Sequence, residues 1–345
     1  MITISACLIV KNEEKLLSRC LDCLREIADE IIIVDTGSTD RTKDIALLYT
    51  DKVYDFKWED DFAAARNFSF SKASMEYIYS ADADEVIDEE NRKKFLQLKQ
   101  VLLPEIEIVQ MLYTNQLLHN TTYNYDTELR PKLFKRVRRF VWADPIHESV
   151  VLDPVIYDSD IKIIHLPDSN HGKRDFQIFR KLISRGEVLS SKLRKMYARE
   201  LFVAGDDSDF LMAEEYFEKL ADSQLPLDEL KQIQCILVRC GLIKNDPVQI
   251  MKYALKNVAL EKASSEVCYD VGEFFYRQKD YEEAIVWFYN AAYETESYLN
   301  IRYSGDYPLS RLALCYEATG DEENAGFYRE KAKDWMKENG FKPDV

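Results

Sequence analysis

Two aspartates one residue apart are the first place in this sequence where side chains could do chemistry. Asp82-Ala83-Asp84-Glu85 follows an apolar run, Tyr77-Ile78-Tyr79-Ser80-Ala81. On an extended chain, side chains two residues apart point the same way, so Asp82 and Asp84 are expected to aim their carboxylates at one point beyond a sheet edge. Hard anionic oxygens in that arrangement suit Mg2+ or Mn2+, which also accepts the oxygens of a diphosphate. A solvated acidic turn has the same composition. Asp35 closes another apolar run, Ile31-Ile32-Ile33-Val34, and stands just before Gly37. Its carboxylate can accept from a base N–H or a ribose hydroxyl, or it can cap its own loop as an Asx-turn. Arg66 lies in Trp58–Asn67, where small residues favour a closely packed helix. Its planar fork matches a diphosphate, with a surface salt bridge as the plainer use.

These residues need strands and helices to present them. Ile4–Val10 reads as a strand, followed by a helix over about Glu13–Ala28. Ile31–Val34 is the β-branched kind of run that is buried on both faces of a parallel sheet. Short strands are expected at Lys52–Tyr54 and Glu76–Tyr79, and a longer one at Ile106–Tyr113. Pro131–Val137 is expected to pair with Phe140–Trp142 as a hairpin, and Ile161–His165 adds a last strand. The alternation predicts an α/β sandwich on a mostly parallel sheet, with ligands at the carboxyl ends of the strands.

The grammar changes near residue 175, where the chain becomes helical and repetitive. Cys268, Val271, Gly272, Phe275, Ala284, Phe288 and Ala291 fall at the spacing of the tetratricopeptide helix–turn–helix unit. Leu312, Ala313, Tyr316, Gly320, Ala325 and Ala332 give a looser copy, with Arg329 where an aromatic is expected and Tyr328 beside it. Tyr197, Leu201, Ala213, Phe217 and Leu220 give an earlier one, and Leu230–Leu260 matches poorly. A single unit cannot bury its apolar face, so a stack of three or four is expected, with a plain helical bundle as the alternative. The division is therefore 1–175 and 176–345.

The order of motifs says more than any one of them. Asn12-Glu13-Glu14, Val34-Asp35-Thr36-Gly37-Ser38-Thr39-Asp40, Asp61-Phe62-Ala63-Ala64-Ala65-Arg66-Asn67 and Asp82-Ala83-Asp84-Glu85 follow one another in that sequence. The series resembles family 2 glycosyltransferases of the GT-A fold over roughly residues 2–170. The resemblance implies an inverting, metal-dependent, hexosyltransferase-like enzyme with a Rossmann-like domain and a nucleotide-sugar donor, usually a UDP-sugar. It assigns Asp35 to the base, the Val10–Asn12 loop to the same pocket, and Arg66 to the diphosphate. Asp82 goes to ribose or metal, and Asp84 to metal. Asp144-Pro145-Ile146-His147-Glu148 resembles the His-Glu element of members that carry tetratricopeptide repeats. That makes Glu148 the candidate general base, with His147 as the alternative base or a positioning group. Glu148 could instead pair with the basic run Lys132, Lys135, Arg136, Arg138 and Arg139. Related enzymes use a late histidine on the metal, which points to His165, or less directly to His171; a histidine satisfying a buried carbonyl is the competing use. The combination is similar to bacteriocin peptide S-glycosyltransferases, which implies a peptide or protein acceptor bound by the repeats.

Composition bounds the partners. The 345-residue chain carries a net charge of -16, which disfavours bulk nucleic acid and anionic membranes. It has no apolar segment of membrane-spanning length. Its seven cysteines form no paired framework, Cys20 and Cys23 sit within a helical apolar pattern, and a cytoplasmic location is expected. Homo-oligomerisation stays open. A nucleotidyltransferase would carry a Gly-rich, basic loop after the first strand, where this chain has Lys11-Asn12-Glu13-Glu14. The other alternative is a scaffold with helical repeats and an inactive nucleotide-binding domain.

Overall fold

The computed structural model describes residues 1–114, 127–138, 140–146, 149–150, 154–167, 172–260 and 262–341. They divide into two compact units, one reaching residue 167 and one starting at residue 172.

The first unit is built on β1 (Ile4–Val10), β2 (Glu30–Asp35), β3 (Val53–Asp55), β4 (Tyr77–Ala81), β5 (Glu85–Val86), β6 (Ile108–Thr114), β7 (Glu128–Lys135) and β10 (Ile156–His165), with β8 (Trp142–Ala143) and β9 (Ser149–Val150) as a separate pair. Among the described residues the main sheet runs β3-β2-β1-β4-β7-β6-β10-β5. Only β7 and β5 oppose the others. This mixed, mostly parallel sheet is the one expected of a GT-A domain. Ile32, Ile33 and Val34 are fully buried, as a strand covered on both faces requires. One face packs on α1 (Leu17–Leu24) and α4 (Glu89–Val101) through Leu17, Leu21, Leu24, Phe95 and Leu98. The other packs on α3 (Phe62–Lys72) through Ala63 and Phe70, joined by Phe140 and Trp142. A short α2 (Thr42–Leu47) follows the β2 loop.

Two local expectations fail. The first helix is shorter than predicted, because Glu13 and Glu14 are spent on contacts with the next loop. The predicted hairpin does not form: Glu128–Lys135 inserts between β4 and β6, and Trp142–Ala143 pairs with Ser149–Val150. Leu133 and Phe134 are wholly buried and need a central position in the sheet, while Trp142 is drawn onto Phe70 and Phe134.

The second unit is helical: α5 (Gly172–Ser184), α6 (Ser191–Ala204), α7 (Asp207–Leu220), α8 (Leu227–Lys244), α9 (Pro247–Val258), α10 (Ser265–Arg277), α11 (Tyr281–Tyr289), α12 (Asp306–Thr319) and α13 (Glu322–Glu338). It is the tetratricopeptide-like repeat region expected. Helices α8–α9, α10–α11 and α12–α13 pack as pairs, and α6 meets α7 through Tyr197–Phe217 and Phe202–Phe210. Gly272 must be small, since a Cβ there would stand 2.8 Å from the Phe288 ring. The missing aromatic at Arg329 is supplied by its neighbour: Tyr328 stacks on Tyr316 at 5.5 Å, and Arg329 turns outward to Glu317. The poorly matching stretch also forms a helix pair, whose first member buries Lys231, Gln232 and Gln234 beside its apolar residues. Those polar positions are what blur its pattern.

Candidate donor site at the strand ends

The carboxyl ends of β1 and β2 are joined before any ligand is considered. The Val10 carbonyl accepts from the Thr36 N–H at 3.0 Å and from its hydroxyl at 3.2 Å. Asn12, at φ 56°, donates its N–H to Ser38 Oγ at 2.9 Å and accepts from the Thr39 N–H at 2.8 Å. Glu13 and Glu14 donate their N–H groups to Thr42 and Asp40. Asp35 is buried and accepts from the N–H groups of Gly37 and Ser38 at 3.1–3.2 Å. The Asx-turn alternative is thus realised, made possible by Gly37 at φ 101°. Gly37 and Ser38 do not exhaust the roughly four acceptor sites of a carboxylate.

The acidic motif departs from its expected geometry. Asp82–Glu85 is a tight turn closed by the Glu85 N–H on the Asp82 carbonyl, so the strand alternation ends before Asp84. Asp82 and Asp84 take different partners, and among the described residues no group of three His, Cys, Asp or Glu is arranged around a metal position. Asp82 lies 3.5 Å from Arg66 Nη2 and 3.7 Å from Lys132 Nζ. Burial opposes its charge, but Lys132 and Arg66 outweigh that and hold its carboxyl well below the usual carboxylate range. Asp84 Oδ2 lies 3.1 Å from His165 Nε2, at the register where β10 meets β5. Its Oδ1 is buried and has no hydrogen-bond partner among the described residues. An orphaned carboxylate oxygen beside an imidazole fits a divalent cation that completes its shell with diphosphate oxygens. Cys20, read as a core residue, is buried and donates its thiol to the Asp82 carbonyl.

Beneath this turn lie Glu85 and Lys132, whose partnership sequence reasoning missed. Both are buried, and Lys132 Nζ donates to Glu85 Oε1 at 2.5 Å. Burial pushes the Glu85 carboxyl up, and Asp82 and Asp84 add to that against Lys132. The sequence signal was the place of Lys132 in the basic run, next to the apolar Leu133 and Phe134 of the strand. Other described members of the basic run disperse: Lys135 reaches the Pro104 carbonyl, Arg136 the Met75 carbonyl and Arg138 Glu107, while Arg139 lies outside the described residues.

Arg66 is positioned by α3, whose N-terminus is capped by the Asp61 side chain on the Ala64 N–H. Its guanidinium donates to Ser80 Oγ at 2.5 Å and stacks 4.9 Å from the Trp142 ring centre. The Asn67 amide grips both the N–H and the carbonyl of Trp142, and the Phe62 N–H donates to the Pro145 carbonyl. The segment running to Ile146 is thereby tied to the helix that carries Arg66. His147, Glu148 and His171 lie outside the described residues.

Residues 5–150 match the family described as Glycosyl transferase family 2. The chain is 26% identical over 272 residues to the SPbeta prophage-derived glycosyltransferase SunS of Bacillus subtilis, an alignment covering 73% of this chain and 61% of that protein. An 85-residue stretch, 25% of this chain, is 45% identical to 21% of a TPR repeat-containing protein of Synechococcus elongatus. The chain thus spans less than two thirds of either relative's length. It is also similar to glucosyl-3-phosphoglycerate synthase of Mycobacterium tuberculosis in complex with Mn2+ and UDP-glucose, at 16% identity and a TM-score of 0.40, covering 55% of this chain and 81% of that one.

The helical unit carries a different kind of surface. Arg239 forms a two-pronged ion pair with Asp270 and donates to the Tyr303 hydroxyl at 2.8 Å. Tyr269, Tyr303 and Tyr307 contact one another edge-on or tilted, with Arg302 over Tyr307 and Arg311 beside Tyr269. Tyr269, Tyr307, Arg302 and Arg311 remain partly exposed. Among the described residues no helix is long and apolar enough to cross a membrane.

Proposed function

We propose that this chain is an inverting, metal-dependent glycosyltransferase that takes a UDP-sugar and delivers the sugar to a peptide or protein side chain. The observation that carries this reading is one strand-end edge holding Asp35, Arg66, Asp82 and Asp84, with an Asp84 oxygen that is buried and accepts no hydrogen bond among the described residues. Asp35, held by its own turn, offers its remaining lone pairs to the base. Arg66 is ordered in advance by Ser80 and Trp142, so it meets the departing diphosphate without paying to immobilise a long side chain. Asp84 and His165 would hold Mg2+ or Mn2+, with Asp82 held nearby by Arg66 and Lys132, and the ion would supply positive charge to the leaving group. Glu148 takes the acceptor's proton, with His147 positioning the acceptor or serving as the alternative base. The aromatic and arginine face of the helical unit recruits the acceptor, as side chains with rigid planes suit a peptide segment. The seven unpaired cysteines accord with a cytoplasmic enzyme.

Calorimetry with UDP in the presence and absence of Mn2+ tests the donor site: equal binding in both, unchanged by substitution of Asp84, would remove it. Glu148→Gln tests the base. Transfer should fall about a hundredfold or more while donor binding persists. Near-normal transfer would move the role to His147 or to an acceptor, such as a thiol, that ionises unaided. The turning of Asp82 toward Arg66 and Lys132 favours one rival, a scaffold whose nucleotide site is inactive. A screen for metal-dependent hydrolysis of nucleotide sugars separates the two.

A further inference from the structure

A lysine in the middle of a sheet is costly to bury and needs a reason to be there. Lys132 sits on β7 under the acidic turn, with its ammonium 5.8 Å from the Tyr79 ring centre and 5.7 Å from that of Tyr113. It binds Glu85 at 2.5 Å and stands 3.7 Å from one Asp82 oxygen. The second Glu85 oxygen accepts the Asp82 N–H at 3.3 Å, so the pair holds Asp82 by both backbone and side chain. Arg66 holds the other Asp82 oxygen from above. Asp84 is partnered by His165 instead. Each half of the buried pair thus touches Asp82, although satisfying Glu85 alone would require only one contact.

We propose that Lys132 is a positioning residue for the acidic motif, which together with Glu85 keeps Asp82 turned toward Arg66 and apart from Asp84. This rests on the donor-site reading above. Its consequence is selectivity in what the motif binds. A free divalent cation must compete with Lys132 for Asp82, so the unliganded motif binds such ions weakly. A cation arriving with a diphosphate brings anionic oxygens that Lys132 and Arg66 attract, and the same lysine then favours binding. Lys132 therefore works against metal alone and for metal with nucleotide, whereas a residue that merely supports the fold would affect both alike.

The test is Lys132→Met, together with the double substitution Lys132→Met/Glu85→Gln in case Glu85 left alone prevents folding. Thermal unfolding identifies the folded variants. Uptake of Mn2+ alone is read by the loss of the free-ion electron paramagnetic resonance signal, and UDP binding at saturating Mn2+ by calorimetry. Mn2+ alone should bind about fivefold tighter or more, the scale of one partly screened charge at this distance, and UDP should bind weaker by a similar factor. Variants that bind Mn2+ no tighter than the wild type, beside a wild type that takes up both ligands, overturn this inference and leave the donor site standing. A wild-type chain that takes up neither ligand overturns the donor site and the inference with it.

Discussion

Glu266 in the helical unit is a buried acid and Asp84 in the first unit is a half-buried one with a buried oxygen, and they are treated in opposite ways. Glu266 is fully enclosed on α10, and its carboxylate accepts from the N–H groups of Tyr298, Leu299 and Asn300 at 2.7–3.2 Å. Burial still pushes its pKa up, with those donors working the other way. It behaves as a rivet that fastens the 298–300 segment to a helix. Asp270 and Asp306 are likewise closed by bidentate arginines. Asp84 receives one imidazole, and its other oxygen accepts no hydrogen bond among the described residues. A buried acid with every lone pair answered holds structure together, while an oxygen left unanswered is what the proposed donor site gives to an arriving cation.

Breaking that contrast takes one substitution on each side. Asp84→Asn should abolish turnover and weaken metal-dependent UDP binding by about a hundredfold or more, with the melting temperature unchanged or raised, since an unanswered charge is removed. Glu266→Gln should do the reverse. It should cost about 2–4 kcal/mol in denaturant unfolding, as several backbone donors lose a charged acceptor, with donor hydrolysis intact in the folded fraction. An Asp84 variant that unfolds, or a Glu266 variant that loses donor hydrolysis at full stability, would collapse the distinction.

Glu30 sharpens the comparison, because it is a fully answered acid inside the first unit. Lys52, Ser5 and Ser74 all donate to it, and against the cost of burial they lower its pKa from 4.5 to about 2. The folded state then binds fewer protons than the unfolded one between these values. The stabilisation is complete above about pH 4.5 and disappears as pH falls toward about 2. The stability difference between wild type and Glu30→Gln should shrink across that window, and a difference constant with pH would rule it out. The smallest effect is expected on the helical face. Tyr269→Ala and Tyr307→Ala should raise the acceptor's KM several-fold with donor hydrolysis unchanged. Unaltered acceptor kinetics across the whole face would return these residues to a structural role.

Much of the site was legible because strand-end positions follow from local pattern. Asp35, Arg66, Asp82 and Asp84 could each be placed after an apolar run or within a helix of small residues, and His165 at the end of a strand. The direction of the acidic pair was not legible, because a tight turn at Asp82 overrides the alternation that an extended chain would impose. The partner of Lys132 was not legible for a related reason. The basic run that holds it was read as a possible partner of Glu148, and its pairing with Glu85, 47 positions away, depends on tertiary packing. The 140–142 segment looked like a hairpin partner, but Trp142 packs on α3 instead. The helical repeats were readable through small and aromatic positions, and the pair that read poorly is the one with buried polar residues.

The reciprocal hydrogen bonds between the Asn12–Glu14 and Ser38–Thr42 loops bear on the entropy of the nucleotide binding proposed above. Two loops that would otherwise fluctuate independently are already frozen into one surface, so the ordering cost was met during folding and need not be met again when the base docks. Binding to such a surface should be dominated by enthalpy, with an association rate limited by encounter and little affected by loop rearrangement. Loosening the latch at Asn12 would leave every ligand contact available, yet it would turn the lost affinity into an entropic penalty and slow the on-rate.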